Sequence, residues 1–146
     1  MTVKKDILGL GEILWDLLPG GRKLGGAVAN LIYFTNLLGH EGRVASAVGD
    51  DDLGKEILSV LEKNGLSADL IQTDPDHPTG TVEVTLDNSG RPSYSIHENV
   101  AWDNVKETGQ LMDAARNADA LVFGSLFQRS GVSRNTLKRI VSVAKD

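Results

Sequence analysis

The sequence predicts an α/β protein: a mostly parallel sheet covered on both faces by helices, with a small β-hairpin lid attached. Two observations carry that reading. Short apolar runs such as "VKKDILGL" (3–10), "GRVASAV" (42–48) and "ALVFGSL" (120–126) alternate along the chain with stretches of helical spacing, the order that builds parallel sheets from strand-helix-strand units. One segment, "TGTVEVTL" (79–86), departs from this by strict alternation of polar and apolar residues, the period of a sheet with one solvated face.

Taken in order, the first strand ends at Gly9 and Gly11. Apolar residues at Ala27, Leu31, Phe34 and Leu38 then mark one helical face that stops at Gly39. The second strand closes at Gly49, and Asp50 or Asp51 caps a helix with the inner face Leu53, Ile57, Val60 and Leu61, followed by Gly65. A short strand at "DLIQT" leads into the alternating segment; "DNSGR" turns the chain, and "PSYSIH" returns with Tyr94 and Ile96 on the apolar side. The face made by Val82, Val84, Leu86, Tyr94 and Ile96 needs a cover, because a two-stranded hairpin is marginal alone. "NVAWD" (99–103) is then the return to the body, with Trp102 as an anchor. Helical spacing resumes at Leu111, Met112, Ala115 and Ala118. After the third apolar strand a last helix carries Leu137, Ile140, Val141 and Ala144, and the chain ends within it at "SVAKD".

Composition narrows the function. A chain of 146 residues, 40% hydrophobic, supports one sizeable core. No apolar run reaches the length of a membrane span, and no signal peptide is legible. Fifteen Lys and Arg against 20 Asp and Glu give a net charge of -5 with the basic residues scattered, which argues against nucleic acid as a partner. The absence of cysteine removes disulfides and thiolate chemistry, and makes a reducing cytoplasm the simplest compartment. His40, His77 and His97 are too far apart in sequence to suggest a metal site.

In open α/β sheets ligands bind beyond the carboxyl ends of the strands, where loops and helix N-termini meet. Three strand ends carry unusual residues: "GLGEILWD", "GDDDLG" and "FGSLFQR". In the first, which runs on as "ILWDLLP", Asp16 stands among three leucines, an isoleucine and a tryptophan, so its carboxylate must be solvated or hold a partner. The spacing alone leaves open an exposed position on an edge strand or bend and a ligand-binding role. In "LGGAVAN", Gly25 and Gly26 would let a ligand reach backbone N–H groups, and Asn30 offers a donor and an acceptor from the first helical turn; taken alone, the stretch favours the other reading, close helix-to-sheet packing, which also wants glycine and alanine. The three aspartates of "VGDDDLG" read as a helix cap with an acidic first turn. "GLGEIL" lacks the third glycine of a dinucleotide fingerprint, and no phosphate-loop motif occurs.

Together, "GLGEILWDLLPGG", "LGGAVAN", "LLG", "VGDDDLG", "HPTGTVEV", "NVAWD" and "FGSLFQR" resemble, in order from about residue 6 to 140, the N-terminal part of the ribokinase-like (PfkB) carbohydrate kinases, and within them the fructokinase-like branch. The resemblance implies transfer of the γ-phosphate of ATP to a sugar hydroxyl, with Mg²⁺ on the phosphates, on a ribokinase-like sheet whose lid closes over the sugar and often forms a dimer contact. It implies that Asp16 and Asn30 hold sugar hydroxyls, that Gly25 and Gly26 line the sugar, and that Asn99 and Arg129 lie near it. The lid would comprise elements at about 12–24 and 79–98, and the whole of 1–146 the N-terminal part of a single ribokinase-like domain. Val28 and Ile32 stand where the family usually has proline and a small residue, so altered packing is expected there.

The family's glycine-rich segment that ends in a catalytic aspartate, and with it the nucleotide pocket, has no counterpart in these residues. No catalytic residue or metal ligand is therefore assigned, and ATP and Mg²⁺ are expected not to be held by this chain alone. The expectation is the sugar-binding, lid-bearing part of a sugar kinase, fructose-like sugars favoured, either truncated or the product of a short gene. It would form a homo-oligomer through the lid or an exposed sheet edge. A non-catalytic sugar-binding or dimerising module is the alternative, and a dinucleotide-binding domain a third reading resting only on "GLG".

Overall fold

The computed structural model describes residues 3–144. Met1, Thr2, Lys145 and Asp146, on which the readings of the chain's two ends partly rest, lie outside the described residues. Four strands, β1 (Asp6–Leu10), β4 (Glu41–Gly49), β5 (Ile71–Asp74) and β8 (Ala120–Phe123), form a wholly parallel sheet in the order β5-β4-β1-β8. Helices α1 (Ala27–Leu37) and α2 (Asp52–Lys63) cover one face, and α3 (Gly109–Asn117) and α4 (Gly131–Val143) the other.

The alternation of side chains along each strand divides the core. Leu8, Leu10, Ala45 and Ala47 pack with Leu111, Leu137 and Ile140 beneath the sheet, while Val44 and Val48 pack with Val28, Ile32, Ile57 and Leu61 above it. Each large side chain so buried contributes roughly 1.5–3 kcal/mol. Asp51, not Asp50, caps α2, its carboxylate accepting from the Gly54 N–H at 2.8 Å.

Helix α1 corrects the expected inner face. Leu31, Phe34 and Leu38 are exposed, and the buried stripe is Val28, Ala29, Ile32 and Thr35. "NLIYFTNLL" is apolar on nearly every side, so periodicity cannot choose between stripes. Space in the sheet chooses. A Cβ on Gly9 would stand 2.7 Å from both Val28 and Ile32, and one on Gly11 would stand 2.6 Å from Val28. The two glycines of "GLG" are thus gaps that admit the two residues departing from the family pattern, which accounts for the motif without a dinucleotide.

The second sheet adds a second antiparallel pair to the hairpin read from the alternating segment. Strands β2 (Leu14–Leu18) and β3 (Gly21–Gly25) form one antiparallel pair, β6 (Thr81–Leu86) and β7 (Pro92–Ile96) another, and β2 joins β6 in parallel to give the order β3-β2-β6-β7. β2 lacks alternation because both its faces are covered: Trp15 and Leu17 pack toward α1 and α2, Leu14 and Leu18 with Val82 and Val84. Between β6 and β7, Asp87 Oδ1 accepts from the N–H groups of Ser89 and Arg91, and Gly90 takes φ 79°. Leu86, Tyr94 and Ile96 remain exposed, whereas Val82 and Val84 are buried.

Candidate functional site

Strands β1, β4 and β8 run parallel, so the three unusual strand ends do share one rim. The chain leaves β1 there and rises into β2, which places Asp16 on an interior strand of the second sheet, opposite Lys23 on one side and Val82 on the other. The edge or bend considered for Asp16 is therefore replaced by a half-buried position on a covered strand. Burial raises the pKa of its carboxyl above the usual carboxylate value. Its carboxylate makes no hydrogen bond or ion pair with the described residues, a cost that a hydroxylated ligand would relieve.

Gly25 and Gly26 lie directly beside it. A side chain on Gly25 would collide with the Asp16 carboxylate, and one on Gly26 with the Glu12 carbonyl oxygen; Gly26 also adopts φ +119°, which disfavours other residues. Asn30 follows one turn along α1, its backbone N–H donating to the Gly26 carbonyl at 2.9 Å. Its side chain is exposed, makes no hydrogen bond to the described residues, and borders a hollow of about 220 Å³ with Leu24, Tyr33 and Asn64.

A second cleft, of about 260 Å³, is lined by Glu98, Asn99, Asp103, Asn104, Arg129 and Ser130. Asn99, at φ 55°, is the one non-glycine residue of left-handed backbone among the described residues, a conformation that asparagine tolerates. Arg129 is already engaged: Nε and Nη2 each donate to Asp103 at 2.8 Å, and the guanidinium lies 4.1 Å from the centre of the Trp102 ring. Trp102 is wholly buried, as expected of an anchor. The structure thus brings Asp16 against Gly25, with Gly26 next in the chain and Asn30 one turn further along α1, and gathers Asn99 and Arg129 at the other cleft.

Glu12 is the residue that sequence reading passed over. It is only 5% exposed; Oε1 accepts from the Ala27 N–H at 3.0 Å, and Oε2 has no hydrogen-bond partner among the described residues. Its signal was present, a lone carboxylate between "GLG" and "ILW", the same contrast that marked Asp16. Two other rim carboxylates are occupied: Asp51 by Thr79 and Gly54, Asp74 by His77 and Asp76.

Residues 20–146 match the family described as pfkB family carbohydrate kinase, and the chain belongs to that family. It is 28% identical to a probable fructokinase-4 of Arabidopsis thaliana over 98% of this chain and 48% of the relative. It is 29% identical to a putative sugar kinase of Pyrococcus horikoshii over 95% and 48%. The crystal structure of that Pyrococcus protein superposes with a TM-score of 0.82, covering 94% of this chain and 48% of its own, and it has also been solved in complex with ATP. A Halothermothrix orenii fructokinase, 22% identical, shares the fold at a TM-score of 0.84 over 96% of this chain and 53% of its own. The chain spans about half the length of the relatives it matches.

The starts of α1 and α2 do not fit a phosphate group. At the start of α1 the Ala27 N–H is taken by the Glu12 carboxylate, which repels a phosphate, and the turn into α2 is acidic. No group of three His, Asp or Glu among the described residues is placed to hold a metal ion. No step of phosphoryl transfer is therefore assigned to this chain's residues.

Proposed function

We propose that this chain is the sugar-binding, lid-bearing part of an ATP-dependent sugar kinase, with a fructose-like sugar favoured. Residues 1–146 form the N-terminal part of one ribokinase-like domain, the second sheet, at about 12–24 and 79–98, being its lid. One observation carries the reading: the Asp16 carboxylate is half-buried, without a partner, and packed on Gly25 next to Gly26. A sugar hydroxyl donates to that carboxylate, the glycines let the ring reach the backbone, and Asn30 supplies a further donor and acceptor. Asn99 and Arg129 flank the sugar from the second cleft, Arg129 also keeping that cleft in shape. The fructokinases among the relatives support the choice of sugar.

Titration calorimetry with D-fructose and D-ribose tests the reading. Fructose heat that disappears in Asp16→Ala is the expected result; no heat with any sugar overturns it. ATP turnover stimulated by fructose in the 146-residue protein would place phosphoryl transfer on this chain's own residues.

A second reading, a non-catalytic sugar-binding or dimerising module, is favoured by exposed apolar side chains. Leu86, Tyr94 and Ile96 stand on the lid, and Leu31, Phe34 and Leu38 on α1. A homo-oligomer through the lid, or through the open edge of β8, covers one or other group. Sedimentation of Tyr94→Ser and Phe34→Ser variants separates the two: the variant that yields monomer names the interface.

A further inference from the structure

Glu12 has no place in the sugar contacts above, yet it joins three elements that form them. It follows β1, its Oε1 holds the first N–H of α1, and its backbone carbonyl fills the space that a side chain on Gly26 would need. On its far side Oε2 faces Gly124 at the end of β8, where a Cβ would stand 3.2 Å away. Gly124 in turn donates its N–H to the Leu10 carbonyl at 3.1 Å. Glu12 therefore fastens the Gly25–Gly26 turn to the end of β1 through Oε1, while Oε2 packs without a hydrogen bond against Gly124 at the end of β8, at a point where almost no water reaches.

We propose that Glu12 is a positioning residue for the sugar site: its carboxylate holds the Gly25–Gly26–Ala27 turn at the height that keeps the clearing beside Asp16 open. This assignment rests on the sugar-binding reading. Without the acceptor at Oε1, the Ala27 N–H is orphaned within the rim, and the turn has no other side-chain tie to β1 among the described residues. Glycines so placed relax readily once released. The chain's one contact between a ligand carboxylate and its clearing, Asp16 on Gly25, would then loosen. A misplacement of this size weakens binding without removing any group that touches sugar.

The test uses the intact chain and D-fructose as the probe. Glu12→Ala is expected to weaken fructose binding by at least about tenfold and to speed hydrogen exchange at the Ala27 amide. Glu12→Gln keeps an oxygen acceptor for that amide and is expected to restore both. Gly124→Ala, which crowds Oε2 without altering Glu12 or Asp16, is expected to weaken fructose binding in a chain that still folds. Leu137→Ala, which loosens the core on the opposite face of the sheet, controls for stability alone and is expected to lower Tm with fructose affinity unchanged. Fructose binding that survives Glu12→Ala, or that is lost equally in Glu12→Gln or in Leu137→Ala, overturns the assignment alone. No fructose binding by the unaltered chain overturns the sugar reading and the assignment together.

Discussion

The guanidinium of Arg129 grips the carboxylate of Asp103 with two nitrogens, each 2.8 Å from its oxygen, while lying over the Trp102 indole. Asp103 is 4% exposed and accepts only one further hydrogen bond among the described residues, from the Val100 N–H at 3.2 Å, so Arg129 is the cation that balances its charge. Nη2 also donates to the His97 carbonyl, which ties the strand leaving the lid to the segment before α4. Arg129→Ala leaves a buried charge unpaired and is expected to cost roughly 3–5 kcal/mol. Arg129→Lys loses the planar fork and recovers only part of it. Urea denaturation of the two variants checks both statements.

Asp16 should show opposite effects on stability and binding. Burial raises its folded pKa, so the stabilising protonated form is fully present below the unfolded carboxylate value of about 3.9 and lost as pH rises through the folded one. At neutral pH the charge is a cost to the free protein. Asp16→Asn is expected to raise Tm slightly while weakening fructose binding by about tenfold or more, in line with the loss of a charged hydrogen bond. A thermal melt and a titration at pH 7 on one preparation give both numbers.

The Asp51 latch governs acid sensitivity. Burial pushes its carboxyl up, but hydrogen bonds from the Thr79 hydroxyl and N–H, and from the backbone N–H groups of Gly54 and Leu53, outweigh this and hold it below the usual value. Its contribution is thus present above about pH 4 and is lost as pH falls through the depressed value. Asp51→Asn is expected to lower Tm at pH 7 and to flatten the decline of Tm between pH 5 and pH 3, measured by scanning calorimetry.

The packing account of "GLG" is tested by Gly9→Ala. The added carbon meets Val28 and Ile32 at 2.7 Å, and overpacking of this kind costs about 1–3 kcal/mol. Gly20→Ala, where nothing lies within 4 Å, is expected to be neutral. Chemical denaturation of the pair separates a steric role for Gly9 from a general sensitivity to losing glycine.

The sequence by itself determined the alternation of strands and helices, the presence of an aspartate cap at the start of α2 though not which aspartate, the β6–β7 hairpin with its Asp87 turn, and the motifs that place the chain in a carbohydrate kinase family. These features depend on neighbours within a few residues, or on residue types in fixed order, and so are written locally. Only the tertiary structure decided which stripe of α1 goes inward, because a helix apolar on every side is oriented by the gaps at Gly9 and Gly11 rather than by its own period. It also decided that "LWDLL" is a strand, since a strand covered on both faces loses its alternation. The contact of Asp16 with Gly25, the capture of Arg129 by Asp103 and the hold of Glu12 on Ala27 join residues 9 to 26 positions apart. No local pattern specifies such pairs. Asp16 meets Gly25 across the β2–β3 pair, Glu12 meets Ala27 where α1 starts beside the end of β1, and Arg129 meets Asp103 where the chain after β8 passes the Trp102 segment.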